Sequence, residues 1–376
     1  MKKNVKKVLV VRLHYEMASA ISTQNIGIIA CNFEEAPFVL NPDDIESKLI
    51  SSSRVIRNQT ILNGFRNAYN LYKLLQAEKP DIVHVNALQD LFFAFIAVRI
   101  SAITGNMPPI VALSRSPRTW ENPLKSRLTA KFIQYFSNGY VCLSKYHMNL
   151  LLKFGIPSDK LSFIPNPYSR DQFRQTYKTS SRSSINQRKS QRIIYVAHIC
   201  ERKAQDVLLN AASLVIKQHP DVTFDLVGKI LPGEESYAER LKLLISRLNL
   251  NESVHFIGEL PHSEVIKSLQ NSDIFVFPTY SEMMPRAVIE AMLAGKPVIS
   301  SAVDGIMDLI EDKKTGILVQ PGNFEVLASK ICELIENPSM ADALGVAGQE
   351  YVKEFCSPER VGRLLRDFYE AILNNT

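Results

Sequence analysis

Two carboxylates eight positions apart, Glu282 and Glu290 in TYSEMMPRAVIEAMLAGKPVIS, are the residues of this 376-residue chain best spaced to do chemistry. Between them Pro285 suits the first position of a helix, and Gly295 follows at the position just past its end. A helix over about 285–294 is therefore predicted. Glu282 then lies in the preceding loop and Glu290 on the second turn, about 10 Å apart at roughly 1.5 Å of rise per residue. Inverting glycosidase pairs are expected at roughly 6.5–9.5 Å, so a hydrolytic acid–base couple is disfavoured. The helix amino terminus between the acids offers free N–H groups and the positive end of a dipole, a site for an anion. A carboxylate, a phosphate cradle and a second carboxylate match a nucleotide sugar, one acid meeting the sugar hydroxyls and the other the ribose. Taken alone, the pair reads equally well as a loop charge and a surface helix residue.

The elements that must position these acids follow from periodicity. Short β-branched runs alternate with amphipathic segments along the whole chain. VLVVRL, IGIIAC, DIVHVN, PIVALS, YVCLS and LSFIPN read as strands of a first half, with helices at 64–78, 88–104, 123–136 and 145–154. RIIYVA, TFDLVG, VHFIG, DIFVFP, KPVISS and GILV read as strands of a second, with helices at 204–218, 236–248, 262–271, 285–294 and 324–336. Strands without polar alternation, separated by helices, imply parallel sheets covered on both faces. The expected architecture is α/β, two Rossmann-like doubly wound domains facing a central cleft, with ligands at the carboxyl ends of the strands. Residues 1–170 form the first domain and 193–376 the second. The polar, Ser-rich and basic stretch 171–192 reads as a linker or surface loop. A capped amphipathic helix over 358–374 closes the chain, with the first domain as one place for it to pack.

Length favours two domains, and 46% hydrophobic with 22% charged residues is ordinary for a globular protein. No apolar run reaches the roughly 18 residues of a membrane span. The apolar run before Arg12 is too short for a signal peptide and reads as a first strand. Five scattered cysteines without a CxxC fit a reducing cytosol and argue against a zinc site or disulfide frame. With no metal-ligand motif, no metal is expected. The net charge of +6 hides an asymmetry. Residues 1–170 hold 21 Lys and Arg against 11 Asp and Glu, and 193–376 hold 17 against 26. A basic first half suits an anionic partner, a membrane surface or a phosphate-bearing substrate, and reads equally as solvated surface charge.

Several segments, in order and at matching spacing, resemble the retaining family-4 glycosyltransferases of GT-B fold. EMMPRAVIEAMLAGKPVIS looks like their E-x7-E signature. SNGYVCLSKYHMNLLLKFGIPSDKLSFIPNPYSRDQF resembles the stretch leading to their Pro-Asn-Gly element, here Pro165-Asn166-Pro167. YVAHICERKAQDVLLNAA is similar to their phosphate-binding segment, VHFIGELPHSEVIKSLQNSDIFVFPT to their base-binding region, and VDGIMDLIEDKKTGILVQPGN to the segment after the signature helix. The resemblance covers most of the chain. It implies that Glu282 contacts the donor sugar, Glu290 the ribose, and Lys203 the donor diphosphate. It places main-chain groups around Met283, Met284 and Pro285 at the sugar and phosphate, and Gly258, Glu259 and Leu260 at the base. The implied substrates are a nucleotide sugar, a UDP-sugar favoured, and a glycan or lipid-linked acceptor in polysaccharide or glycoconjugate biosynthesis. No cofactor, metal or nucleic acid is implied, and the setting is cytoplasmic or peripheral on an anionic membrane.

The chain also departs from the family pattern. His198 stands where the family has an arginine, leaving Arg202 as the candidate second cation for the diphosphate. Ala204 replaces the glycine after the phosphate lysine. The glycine-rich loop after the first strand is missing, and Arg115 occupies the region of a cleft histidine, where it stays protonated and serves as no base. His14, Arg115 and Arg118 are the candidate acceptor-binding residues, although a core or loop role for His14 is also open. Lys125, Arg127 and Lys131 join the two arginines in a basic stretch. Leu124, Leu128, Phe132 and Phe136 fall on one face of its helix, expected to pack inward; an interfacial helix on anionic lipid is the alternative. A sugar-nucleotide epimerase of the same fold and a non-catalytic donor-binding subunit are the competing functions. A dinucleotide oxidoreductase is disfavoured, since no GxGxxG follows the first strand.

Overall fold

The computed structural model describes residues 4–11, 20–21, 23–24, 26–31, 38–40, 61–114, 122–168 and 191–376. Chain contacts divide it into two units, Met1–Ser169 with Cys356–Thr376, and Arg170–Phe355. His14, Arg115, Arg118 and the polar stretch 171–190 lie outside the described residues.

In the first unit the strands are β1 (Lys7–Val11), β2 (Gly27–Cys31), β3 (Phe38–Leu40), β4 (Ile82–Val85), β5 (Ile110–Leu113), β6 (Gly139–Cys142) and β7 (Leu161–Phe163). They form one sheet in the order β3-β2-β1-β4-β5-β6-β7. Every pairing is parallel except β2 with β3, so an antiparallel edge strand joins the parallel sheet expected from the sequence. All four residues of each of β4, β5 and β6 are buried, as a sheet covered on both faces requires. Among the described residues, the helices between these strands include α1 (Ile61–Glu78), α2 (Leu88–Ala102), α3 (Pro123–Phe136) and α4 (Lys145–Lys153).

Helix α3 corrects one expectation. Its buried stripe is Ser126, Ala130 and Ile133, whereas Leu124 and Leu128 are exposed. Phe132 and Phe136 pack sideways, with Phe136 meeting Phe92 and Phe95 of α2 at 5.5 and 5.0 Å between ring centroids. Leu124 and Phe136 are twelve residues apart, and at 3.6 residues per turn a four-residue repeat drifts around the helix.

The second unit is a six-stranded parallel sheet, β8 (Arg192–Val196), β9 (Thr223–Val227), β10 (Val254–Gly258), β11 (Ile274–Phe277), β12 (Val298–Ser301) and β13 (Ile317–Val319), in the order β10-β9-β8-β11-β12-β13. Between and after them run α5 (Gln205–Gln218), α6 (Glu235–Arg247), α7 (His262–Asn271), α8 (Arg286–Leu293), α9 (Asp304–Met307), α10 (Phe324–Glu336) and α11 (Pro338–Phe355). Helix α11 escaped the sequence reading because Gly345 and Gly348 interrupt its pattern. Those glycines are packing residues: a Cβ would stand 2.3 Å from the Gly295 carbonyl oxygen at Gly345, and 2.7 Å from that of Thr315 at Gly348.

The last helix, α12 (Pro358–Asn374), is capped by Ser357, whose hydroxyl accepts from Arg360 N at 3.2 Å. It belongs to the first unit. Ile372 and Phe368 press on Gly139 at the start of β6, where a Cβ would come within 2.9 Å of each. The Tyr369 hydroxyl lies 2.6 Å from Nδ1 of His84 in β4, so that histidine is a buried packing residue of the first sheet.

Candidate functional site

In the second sheet, successive connections run outward from β8 toward β10 and from β11 toward β13, so the strand order reverses between β8 and β11. Ligands of doubly wound sheets bind beyond the carboxyl ends of strands at such a switch point. The segments leaving β8 and β11 carry Arg202 with Lys203, and Thr279 with Glu282. The topology brings these candidate residues together.

Lys203 ends a short 3-10 turn, Glu201–Lys203, after β8. The hydroxyl of Tyr195 donates to its carbonyl at 2.6 Å, and Tyr195 stacks on Phe277. The Lys203 ammonium lies 4.6 Å from the centroid of the Phe277 ring and donates to Glu282 Oε1. Arg202 Nη1 donates to the same oxygen at 2.8 Å and to the Ser281 carbonyl at 2.5 Å. The Thr279 hydroxyl lies 3.2 Å from Oε1 and 3.1 Å from the Arg202 carbonyl, which also accepts from Tyr280 N at 2.9 Å. Glu282 and Lys203 are each only 8% exposed. Burial pulls the Lys203 pKa below its ordinary value, and Glu282 beside it acts in the opposite sense. Two cations share one carboxylate, so the cluster keeps a surplus positive charge in a poorly hydrated place, which suits an incoming anion.

The loop that carries Glu282 is held from outside. Gly305 N donates to the Glu282 carbonyl at 3.2 Å, and a Cβ on Gly305 would stand 1.8 Å from the Met283 carbonyl oxygen. Only glycine lets α9 approach this closely. Met283 and Met284 are buried, which leaves main chain as what they can offer a ligand. Pro285 is the capping residue in extended conformation rather than the first helical residue, so α8 begins at Arg286. The fixed φ of proline serves either position, and ψ decides between them. Gly295 lies past the helix end at φ +68°, as its position predicts. Glu290 projects from α8 toward α7, with Oε1 2.9 Å from His262 Nε2.

The remaining candidates lie along the same strand ends. Gly258 closes β10 at φ +82° and accepts through its carbonyl from Gly228 N at 2.8 Å. Leu260 is half-buried, and exposed Glu259 pairs with Lys229 at 2.6 Å. His198 follows β8, and its pKa is lowered by partial burial and then by Lys229 and Lys203. Both causes disfavour the charged imidazolium at this position. The Arg202 guanidinium is turned instead to Glu282 Oε1 and the Ser281 carbonyl. A groove of about 610 Å³ between α5 and α6, lined by Asp206, Tyr237, Arg240 and Tyr280 among others, takes in none of Lys203, Glu282 and Glu290. Among the described residues no group of three or more His, Cys, Asp or Glu side chains is placed to hold a metal, and no helix is long and apolar enough to cross a membrane.

Sequence reasoning missed Thr279, His262 and Gly305. Thr279 ends DIFVFPT three residues before Glu282, a spacing whose meaning appears only once the loop folds back. His262 begins a helix distant in sequence from Glu290. Gly305 carried a signal, a lone glycine at the start of a helix, where a close backbone approach is one cause.

Two family models divide the chain: residues 15–172 match Glycosyltransferase Family 4, and residues 177–351 match Glycosyl transferases group 1. The chain belongs to the family-4-like glycosyltransferases of GT-B fold. The uncharacterized glycosyltransferase MJ1178 of Methanocaldococcus jannaschii is 24% identical over 98% of this chain and 99% of that protein. The capsular polysaccharide biosynthesis glycosyltransferase CapM of Staphylococcus aureus is 28% identical over 48% of this chain and 46% of that protein. Among solved structures, Anabaena HepE in complex with UDP-glucose shares the fold, with a TM-score of 0.73 at 20% identity, covering 96% of this chain and 98% of that one.

Proposed function

We propose that this glycosyltransferase is a retaining enzyme that moves a hexosyl or hexosaminyl group from a UDP-sugar to a glycan or lipid-linked acceptor in polysaccharide or glycoconjugate biosynthesis. The observation that carries the proposal is the buried Lys203–Glu282–Arg202 cluster at the β8/β11 switch point. Lys203 and Arg202 neutralise the diphosphate, whose charge grows as the bond from the sugar C1 to the phosphate oxygen breaks. Glu282 accepts from sugar hydroxyls and Glu290 from the ribose. Main-chain groups of Met283, Met284 and Pro285 face the sugar and phosphate, and Gly258 to Leu260 line the base. The acceptor oxygen joins C1 on the face the diphosphate leaves, and its proton passes to the departing phosphate oxygen, so the chain needs no separate base. His14, Arg115 and Arg118 hold the acceptor. The UDP-glucose in HepE supports the choice of base, and the role printed for CapM supports the product class.

The test incubates the purified protein with a panel of nucleotide sugars. Slow release of free UDP from one UDP-sugar, with retained anomeric configuration in any transferred product, is the expected result. A new sugar-nucleotide isomer would make the chain an epimerase, and binding without turnover a donor-binding subunit.

A further inference from the structure

Helix α3 exposes what a helix of a doubly wound domain ordinarily hides. Its core side is Ser126, Ala130 and Ile133, each 1% exposed. On the opposite side Leu124, Leu128, Lys131 and Tyr135 fall in one line, at intervals of four, three and four residues. Leu124 is 68%, Leu128 60% and Tyr135 72% exposed. Lys125 and Arg127 flank the line, both exposed, and the helix contains no acidic residue. Asn122 fixes its start, the side chain accepting from Leu124 N and Lys125 N at 3.0 and 3.1 Å. The last turn is fastened to α2 through Phe92, Phe95, Tyr135 and Phe136. Ring contacts continue the surface from Phe136 through Phe92 and Phe93 to Phe65 of α1. Phe65 and Tyr69 are themselves half exposed, with Lys73 set over the Tyr69 ring at 4.6 Å.

We infer that this face of α3, continued by α1 and α2, seats the protein on an anionic lipid surface. Apolar tips interleaved with cations of one sign match a bilayer interface, where leucine and tyrosine enter the headgroup boundary and Lys125, Arg127 and Lys131 meet lipid phosphates. A second copy of the chain fits worse: a two-fold contact through this stripe sets the three cations against their own images, with no carboxylate on the helix between them. Nucleic acid would answer the cations and leave the leucines in water. The surface lies outside the donor machinery, and the inference holds whether or not the retaining UDP-sugar reading does.

The experiment sediments the full chain, without any nucleotide sugar, with phosphatidylcholine vesicles lacking or containing phosphatidylglycerol, across a salt series. The wild type is expected to bind the anionic vesicles at low salt, to ignore the neutral ones, and to be released as salt shortens the screening length. Lys125→Gln/Arg127→Gln/Lys131→Gln should weaken binding on the order of 100-fold. Leu124→Ser/Leu128→Ser, with its charge intact, should weaken it by about 10-fold or more. Both variants replace exposed residues, so their thermal unfolding should match the wild type and certify the fold. A wild type indifferent to anionic vesicles at low salt overturns the proposal. So does wild-type binding by the leucine variant, since the surface is then diffusely basic and not seated. A concentration-dependent dimer that the leucine variant dissolves would assign the face to self-association instead.

Discussion

Helix α3 and the turn after β8 both gather lysine and arginine, and they handle the charge in opposite ways. On α3, Lys125, Arg127 and Lys131 stand in water around an apolar stripe, with no acidic residue on the helix. After β8, Lys203 is buried against Phe277 and shares one carboxylate oxygen with Arg202. Exposed cations act through a field that salt screens within about 8 Å, and each is replaceable by a neighbour. A buried cation acts through fixed geometry in a low dielectric, so its partner cannot be removed without leaving an uncompensated charge. On the two proposals made above, one chain uses the same residue types for attraction at a distance and for chemistry at contact.

The strongest test of that contrast removes the shared carboxylate. Glu282→Ala leaves Lys203 and Arg202 repelling each other in a buried place, and breaking a buried pair typically costs about 3–5 kcal/mol. Lys125→Ala, on the exposed helix, should stay within about 0.5 kcal/mol of the wild type. Urea unfolding of both variants measures the difference, and equal costs would erase the distinction between the two regions. Glu282→Ala should also abolish measurable transfer.

Lys203→Ala is the next largest. If the ammonium stabilises charge that develops as the diphosphate leaves, its loss should raise the barrier by about 2–4 kcal/mol while donor affinity changes less. Steady-state kinetics separates the two. Wild-type turnover would make Lys203 a structural partner of Glu282 and nothing more.

The extent to which these regions were legible in the sequence differs for a physical reason. Strand positions, the switch-point segments and Gly295 follow from local pattern, because burial on both faces and a left-handed backbone each leave a mark within a few residues. Contacts between distant segments leave no such mark. Arg202 and Glu282 are 80 positions apart, and nothing local tells which of His198, Arg202 and Lys203 turns toward the carboxylate. Helix α11 was hidden by Gly345 and Gly348, whose need becomes visible only beside the Gly295 and Thr315 carbonyls. The destination of α12 depends likewise on Gly139 and Gly362 making room for it. On α3 the leucines were legible and their direction was not, since an apolar residue in a helix carries no statement of whether it faces core or solvent.

The two glutamates offer a finer comparison inside the second unit. Glu282 is buried and accepts from Lys203 and Arg202, with the Thr279 hydroxyl 3.2 Å away, whereas Glu290 is half-buried and faces His262. If Glu290 meets the ribose, Glu290→Ala should weaken binding of both UDP and the UDP-sugar. A lost charged hydrogen bond is worth about 1.5–3 kcal/mol, or roughly 10- to 100-fold in affinity. Glu282→Ala should spare UDP. Equal losses of UDP affinity by calorimetric titration would sink the division of roles.

The smallest expected effect asks whether backbone as well as charge holds Lys203. Ala204, the next residue, sits at φ +48° and ψ 42°, the left-handed region that favours glycine, and is 1% exposed. A left-handed residue with a Cβ costs roughly 1–2 kcal/mol. Ala204→Gly relieves that strain, but removes a buried methyl worth about 0.8 kcal/mol and frees the unfolded chain by about 0.4–1 kcal/mol. These nearly cancel, which is how alanine is tolerated here. Stability should therefore move by less than about 1 kcal/mol in either direction, and turnover should stay at the wild-type level, because the Tyr195 hydroxyl and the Glu282 carboxylate still fix Lys203. A thermal melt and a kinetic assay on the same preparation decide it. Lost turnover at unchanged stability would show that the stiff backbone at 204, and not the buried ion cluster alone, aims the lysine.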